Sequence, residues 1–364
     1  MKQIKYLVII GIVMMVAYAC STGQTSKMSE WEIPESEFPL SEPGPYYVGV
    51  QEYTIKDESR GGREIEIKIW YPAKEKTDAL SMNDAPAYKP DAPYPLIVTG
   101  YATGGGIFEE HLTSHGFVMV EVEFPEEYSS YDLGVIDHPR DFLFALDQLA
   151  SDPPDGLKGI VDTDHVGVAG YSWEGLYSLL VSGARIDPIF YETQCTNPKP
   201  GNPIPESWWI DYICHLSGMW DAFADEAGST ITTSTDGLWQ PLTDSRIRAV
   251  MPMGPEGAWL FGERGLAAVD RPTMIIAGTA DNTNYYDLEA VYIFDHLGTA
   301  DRYMVSFIDK SHFMVEESES VKRIKHFGTA FLGYYLQGRT DYAKYFSEDF
   351  VAQHEDLEWG VYKP

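Results

Sequence analysis

Basic residues are scarce in this chain. Over 364 residues, 26 Lys and Arg stand against 56 Asp and Glu, a formal charge of −30. A field of that sign repels nucleic acid and anionic membrane surfaces, so neither is expected as a partner held by charge. Cysteine is rarer still, with three in the whole sequence, too few for a disulfide-built scaffold. No Cys-x-x-Cys pair and no carboxylate cluster at metal spacing occurs, so no metal and no cofactor is expected. Gly104, Gly105 and Gly106 are followed by no lysine at the spacing of a phosphate-binding loop. Long apolar runs are also missing: the stretch at 7–16 falls short of the ~20 residues that cross a bilayer as a helix. What is present is a globular composition, 44% hydrophobic and 13% aromatic, enough for an ample core.

The N-terminus has the layout of a processing signal. A basic start containing Lys2 and Lys5 precedes the apolar stretch, and Ala17-Tyr18-Ala19-Cys20 follows it. A cysteine directly after small residues resembles a bacterial lipobox. The expectation is a signal peptide at 1–19, lipid on Cys20, a polar tether over 20–44, and a place in the bacterial cell envelope. The membrane would then be reached through the anchor alone. Cleavage with simple secretion is the alternative.

Two alternating runs, 46–56 and 63–71, flank Ser59-Arg60-Gly61-Gly62 and predict a β-hairpin with one wet face. Short buried strands are expected at 96–99, 117–124, 166–169, 247–253, 273–277 and 303–308. Helical spacing is expected at 137–149, 288–297 and 318–336. Strands alternating with helices imply one mainly parallel α/β sheet covered on both faces, preceded by the antiparallel hairpin. The alternation breaks at 187–246, which holds six prolines, Trp208, Trp209, Trp220, Trp239, and both Cys195 and Cys214. This segment reads as an aromatic cap inserted into a single domain at 45–340. Its two cysteines are a candidate disulfide that spacing alone leaves open. Residues 341–364 read as a polar tail.

The chemistry centres on Gly170-Tyr171-Ser172-Trp173-Glu174-Gly175, between a short strand and a helix carrying Leu176, Leu179 and Leu180. A serine on such a turn is lifted above the sheet, with the first amides of a helix beneath it. A serine nucleophile needs a base oriented by an acid, and in such a sheet these follow later strands in the order serine, acid, histidine. Asp281, after the strand at 273–277, is the expected acid, with Glu256 after the preceding strand as the fallback. Of the downstream histidines, His312 follows a strand, whereas His296 and His326 fall in expected helices and His354 in the tail. The oxyanion amides are expected from Trp173 and from Tyr101.

Gly100-Tyr101-Ala102-Thr103, the run at 114–120, Gly159-Ile160-Val161-Asp162 and Gly170-Tyr171-Ser172 resemble an α/β-hydrolase branch. That branch holds cutinase-like polyester hydrolases, dienelactone-hydrolase-like proteins and platelet-activating-factor acetylhydrolases. The resemblance covers roughly 96–313 and implies the α/β-hydrolase fold, with Ser172, Asp281 and His312 as triad and Tyr101 and Trp173 as oxyanion donors. It implies a small-molecule ester as substrate and cleavage through an acyl-enzyme. A peptidase or amidase with the same triad, or a non-catalytic surface lipoprotein that binds a ligand, are the other readings. Two departures stand out. Glu174 occupies the place where these families carry glycine, and the cap has no counterpart in the compact polyester hydrolases. A cap over the cleft predicts short soluble esters rather than polyester film.

Overall fold

A computed structural model describes residues 37–74, 83–100, 107–124, 130–198 and 205–363. Residues 1–19, Cys20 and Tyr101, for which roles are expected, lie outside the described residues. The body from Phe38 onward is built on a sheet that is nine-stranded among the described residues. The expected hairpin is β1 (Tyr47–Asp57) and β2 (Arg63–Ala73), antiparallel with Ile55 opposite Ile65. Next come β3 (Tyr94–Gly100), α1 (Ile107–Ser114), β4 (Val118–Val122), α2 (Gly134–Ser151), β5 (Val161–Tyr171) and α3 (Trp173–Val181). The cap supplies α4 (Pro188–Thr196), α5 (Ser207–Ile213), α6 (Trp220–Ala227) and α7 (Ser229–Thr232). The body resumes with β6 (Ile247–Met253), α8 (Ala258–Leu266), β7 (Thr273–Gly278), α9 (Tyr292–His296), β8 (Arg302–Phe307) and α10 (Ser318–Leu336).

Spatially the strands run β1-β2-β4-β3-β5-β6-β7-β8, with β3 to β8 parallel and a further antiparallel strand beyond β8. Both faces of the central strands are covered, which is why their sequences are nearly continuous apolar runs. Leu96, Val98, Val120 and Val168 face a core shared with Phe142 of α2 and Leu176 of α3. Ile97, Met119 and Ala169 face the other way, onto Leu112 of α1 and Phe327 and Phe331 of α10. This is the α/β-hydrolase fold, a mostly parallel mixed sheet with helices on both faces. The strand order reverses at β3, since β4 lies on one side of it and β5 on the other. Helix α1, which follows β3, and α3, which follows β5, therefore lie on opposite faces of the sheet, the arrangement that opens a crevice at the carboxyl ends of the strands.

Both ends of the expected domain need correcting. Residues 38–44, read as tether, pack on the body: the amide of Leu40 donates to His326 Nδ1 at 3.1 Å and that of Gly44 to Ser114 Oγ at 2.8 Å. Residues 341–364, read as a tail, form α11 (Glu348–Val351) and β9 (Leu357–Trp359), and β9 pairs antiparallel with β8. The first segment has few apolar anchors, whereas the second buries Tyr342, Phe346, Val351 and Leu357 without a regular period. Phe38 is enough, stacking on His354 at 4.4 Å and meeting the edge of His326. Strand β9 covers what would otherwise be a bare sheet edge.

Candidate active site

The turn from β5 to α3 holds Ser172 at φ 57° and ψ −115°, in the positive-φ region that side chains seldom adopt. A β-carbon at Gly170 would lie 2.3 Å from the Glu174 backbone, so the tight turn requires glycine there. The Ser172 amide donates to Met253 O at 2.9 Å, tying the turn to the end of β6. Glu174, the departure from the family pattern, is accommodated by its neighbour across the sheet. Its side chain lies over Gly100, where a β-carbon would come within 2.4 Å of the Glu174 Cγ. The space usually made by a glycine two after the serine is made here by one at the end of β3.

Two further loops converge on Ser172. His312 Nε2 lies 3.1 Å from Ser172 Oγ, and His312 Nδ1 lies 2.7 Å from Asp281 Oδ2. The other carboxylate oxygen, Oδ1, accepts from the amides of Thr283 and Asn284, both at 2.9 Å. Asp281 and His312 are buried, so their pairing is little screened by solvent. The loops are locked to each other. The Ala280 amide donates to Lys310 O at 2.9 Å, and the Asp309 amide to Thr279 Oγ1 at 2.8 Å. Tyr171 lies 4.9 Å from the His312 ring and tilted over it. The three residues expected from the sequence are thus brought into one hydrogen-bonded line.

Glu256, the fallback acid, makes none of these contacts. It is fully buried, accepts from Tyr212 Oη at 3.1 and 3.2 Å, and burial raises its carboxyl well above the usual carboxylate range. Glu289 lies behind it with its carboxyl pushed by burial to about 8 while accepting from the Ala258 amide at 2.8 Å. Trp173 is the first residue of α3.

Asn284 is the site residue that sequence reading missed. Its Nδ2 donates to Gly254 O at 2.9 Å and to Ser172 Oγ at 3.3 Å. The available signal was its place three residues beyond Asp281, in the turn that wraps the acid. Sequence reading also passed over His111 and His115, one helical turn apart as a metal pair would be. Their rings are spent elsewhere. His111 Nε2 lies 3.0 Å from Leu40 O and 3.1 Å from Thr329 Oγ1, and His115 Nε2 lies 2.9 Å from Glu42 O. Among the described residues no group of three potential metal ligands occurs.

A cleft of about 880 Å³ opens over Ser172 and His312. The cap walls one side through Trp208, Asp211 and Tyr212. Most of its aromatic content is structural: Trp209 packs edge-on to Trp259, and Trp220 and Trp239 meet each other and Phe223. Cys195 and Cys214 are bonded to each other, linking α4 to the end of α5.

A family model described as PET hydrolase-like matches residues 236–358. The match contains Asp281 and His312 and stops short of Ser172 and nearly all of the cap. Among curated proteins none matches the chain. With the fold, the match supports an ester hydrolase of the α/β-hydrolase type, similar to cutinase-like polyester hydrolases.

Proposed function

We propose that the chain is a serine esterase that cleaves carboxylic esters through an acyl-enzyme. The observation that carries this reading is the line from Asp281 Oδ2 through His312 to Ser172 Oγ, with spacings of 2.7 and 3.1 Å. His312 takes the Ser172 proton as Oγ attacks the ester carbonyl, and Asp281 holds the imidazole in the tautomer that accepts it. The tetrahedral oxyanion is held by the Trp173 amide and by that of Tyr101. Collapse breaks the bond to the alcohol oxygen, which leaves with the proton from His312. Water, deprotonated by the same histidine, then releases the acid and restores Ser172. In the proposal Cys20 carries lipid and holds the enzyme in the cell envelope after residues 1–19 are removed.

Substrates are small soluble esters. The cap places Trp208 and Tyr212 along the cleft, and a walled cleft favours a compact acyl group over a polymer chain. Ser172→Ala should abolish labelling by a fluorophosphonate and lower nitrophenyl acetate turnover by about 10⁴-fold or more. Turnover that survives the substitution removes Ser172 from the mechanism. Efficient hydrolysis of polyester film by the intact protein would show that the cap does not restrict the cleft. Cys20→Ser should move the protein from the detergent phase to the aqueous phase, and equal partitioning would leave simple secretion.

A further inference from the structure

We propose that the cleft beside Ser172 takes esters that carry a positive charge, a substituted ammonium in particular. The inference rests on the esterase reading above and specifies its substrate class. It starts from two short helices facing the same cleft. On α5, Trp208 and Asp211 are three residues apart. On the turn His312–Glu316 that follows β8, Phe313 and Glu316 are three residues apart. Residues at this spacing lie on one side of a helix; Phe313 sits at a kink in its turn, and both it and Glu316 line the cleft. Each lip of the cleft therefore presents one aromatic ring and one carboxylate side by side.

These rings are unusual within the molecule. Large apolar side chains are almost all covered, yet Trp208 is 45% exposed and Phe313 is 59% exposed. Exposed aromatic faces bordering a catalytic serine are ready to pack on a ligand. Asp211 and Glu316 are also exposed, and neither has an ion-pair partner among the described residues. No Lys or Arg lines the cleft among the described residues. Lys310, on the loop carrying His312, is tied to Glu317.

An uncharged ester would make use of the rings and leave the carboxylates without a role. An anionic ester would meet two like charges and a protein of formal charge −30. A cation satisfies both sets, because a ring face attracts an ammonium by its quadrupole while a carboxylate attracts it by charge. The overall field also concentrates cations near the surface. The charge takes no part in the bond changes: Ser172 Oγ bonds to the carbonyl carbon, the bond to the alcohol breaks, and the ammonium leaves unchanged.

The test compares acetylthiocholine with its uncharged isostere, 3,3-dimethylbutyl thioacetate, on the full-length protein at low salt. The expected kcat/KM is about tenfold or more in favour of the cation, the size of one or two partly desolvated cation–ring contacts. The preference should shrink as sodium chloride is raised. It should also fall several-fold when Asp211→Asn and Glu316→Gln are combined. A parallel measurement covers the case in which neither acyl group is accepted: choline should slow fluorophosphonate labelling of Ser172 more than 3,3-dimethylbutanol does. Equal rates for the two esters, or equal protection by the two alcohols, overturns the inference and leaves the esterase reading intact. Absence of labelling at Ser172 together with no cleavage of either ester removes the esterase reading and this inference with it.

Discussion

Two adjacent strands of the sheet each deliver a carboxylate near Ser172, and the two loops treat that group in different ways. The loop after β7 turns its backbone toward Asp281: two amides at 2.9 Å satisfy one oxygen and His312 takes the other. The loop after β6 carries Glu256 to a tyrosine hydroxyl of the cap, that of Tyr212 on α5, in a pocket with Glu289 close enough to oppose its charge. Burial and like charge then favour the proton. The strands present the acids at similar positions in the topology. Backbone amides reach Asp281, whereas a tyrosine hydroxyl from the cap reaches Glu256.

The sharpest test of this contrast is a pair of isosteric amides. Asp281→Asn should lower kcat for an ester by about 10³ to 10⁴, because the amide stabilises the wrong imidazole tautomer and carries no charge. Glu256→Gln should lower kcat no more than a few-fold, its partner being Tyr212 and not the histidine. The comparison collapses if Glu256→Gln is the more damaging of the two in steady-state kinetics.

A smaller effect is expected from Asn284, which links the two loops by donating to Gly254 O and to Ser172 Oγ. Asn284→Ala leaves the Gly254 carbonyl without that donor and frees the Ser172 rotamer. One lost hydrogen bond of about 1–1.5 kcal/mol corresponds to roughly a tenfold fall in kcat. Little change in KM is expected, since the contact is to the nucleophile. An unchanged kcat with a raised KM would place Asn284 in ground-state binding instead.

The elements that could be read from sequence were those where local pattern and tertiary role coincide. The strand, turn and helix around Ser172 announce themselves because an apolar run on β5, a glycine at 170 and helical leucines on α3 each have one simple explanation. Asp281 and His312 were legible because each follows a buried strand directly. What sequence did not reveal depends on contacts between distant segments. Glu174 looks like a defect in the turn until Gly100, 74 positions earlier in the chain, is seen beneath its Cγ. Asn284 looks like one more polar turn residue until the loop folds back to Gly254. Phe38 and β9 were hidden because a single aromatic, or three residues at a sheet edge, leaves no periodic trace. The preference between Asp281 and Glu256 rested on position; the difference in their hydrogen bonding is visible only in three dimensions.

The smallest effect on catalysis, and one readable as stability, comes from the buried pair Glu256 and Glu289. Glu289 is fully buried with its folded carboxyl pushed to about 8, against an ordinary glutamate value of 4.5. The folded state therefore holds a proton that the unfolded chain releases at lower pH. With a raised folded value, this group's contribution is fully present below about 4.5 and is lost as pH rises toward about 8. Glu289→Gln removes the ionisable group, and its side-chain oxygen can still accept from the Ala258 amide. Thermal unfolding of the two proteins should therefore diverge with pH, the variant gaining on the parent between pH 5 and pH 8 and the gap levelling above about 8. Ester turnover should change little, because neither Glu289 oxygen reaches Ser172 or His312 through a hydrogen bond. A pH-independent difference in melting temperature would mean that Glu289 is ionised in the folded protein, and that the pocket behind β6 tolerates charge as well as the loop after β7 does.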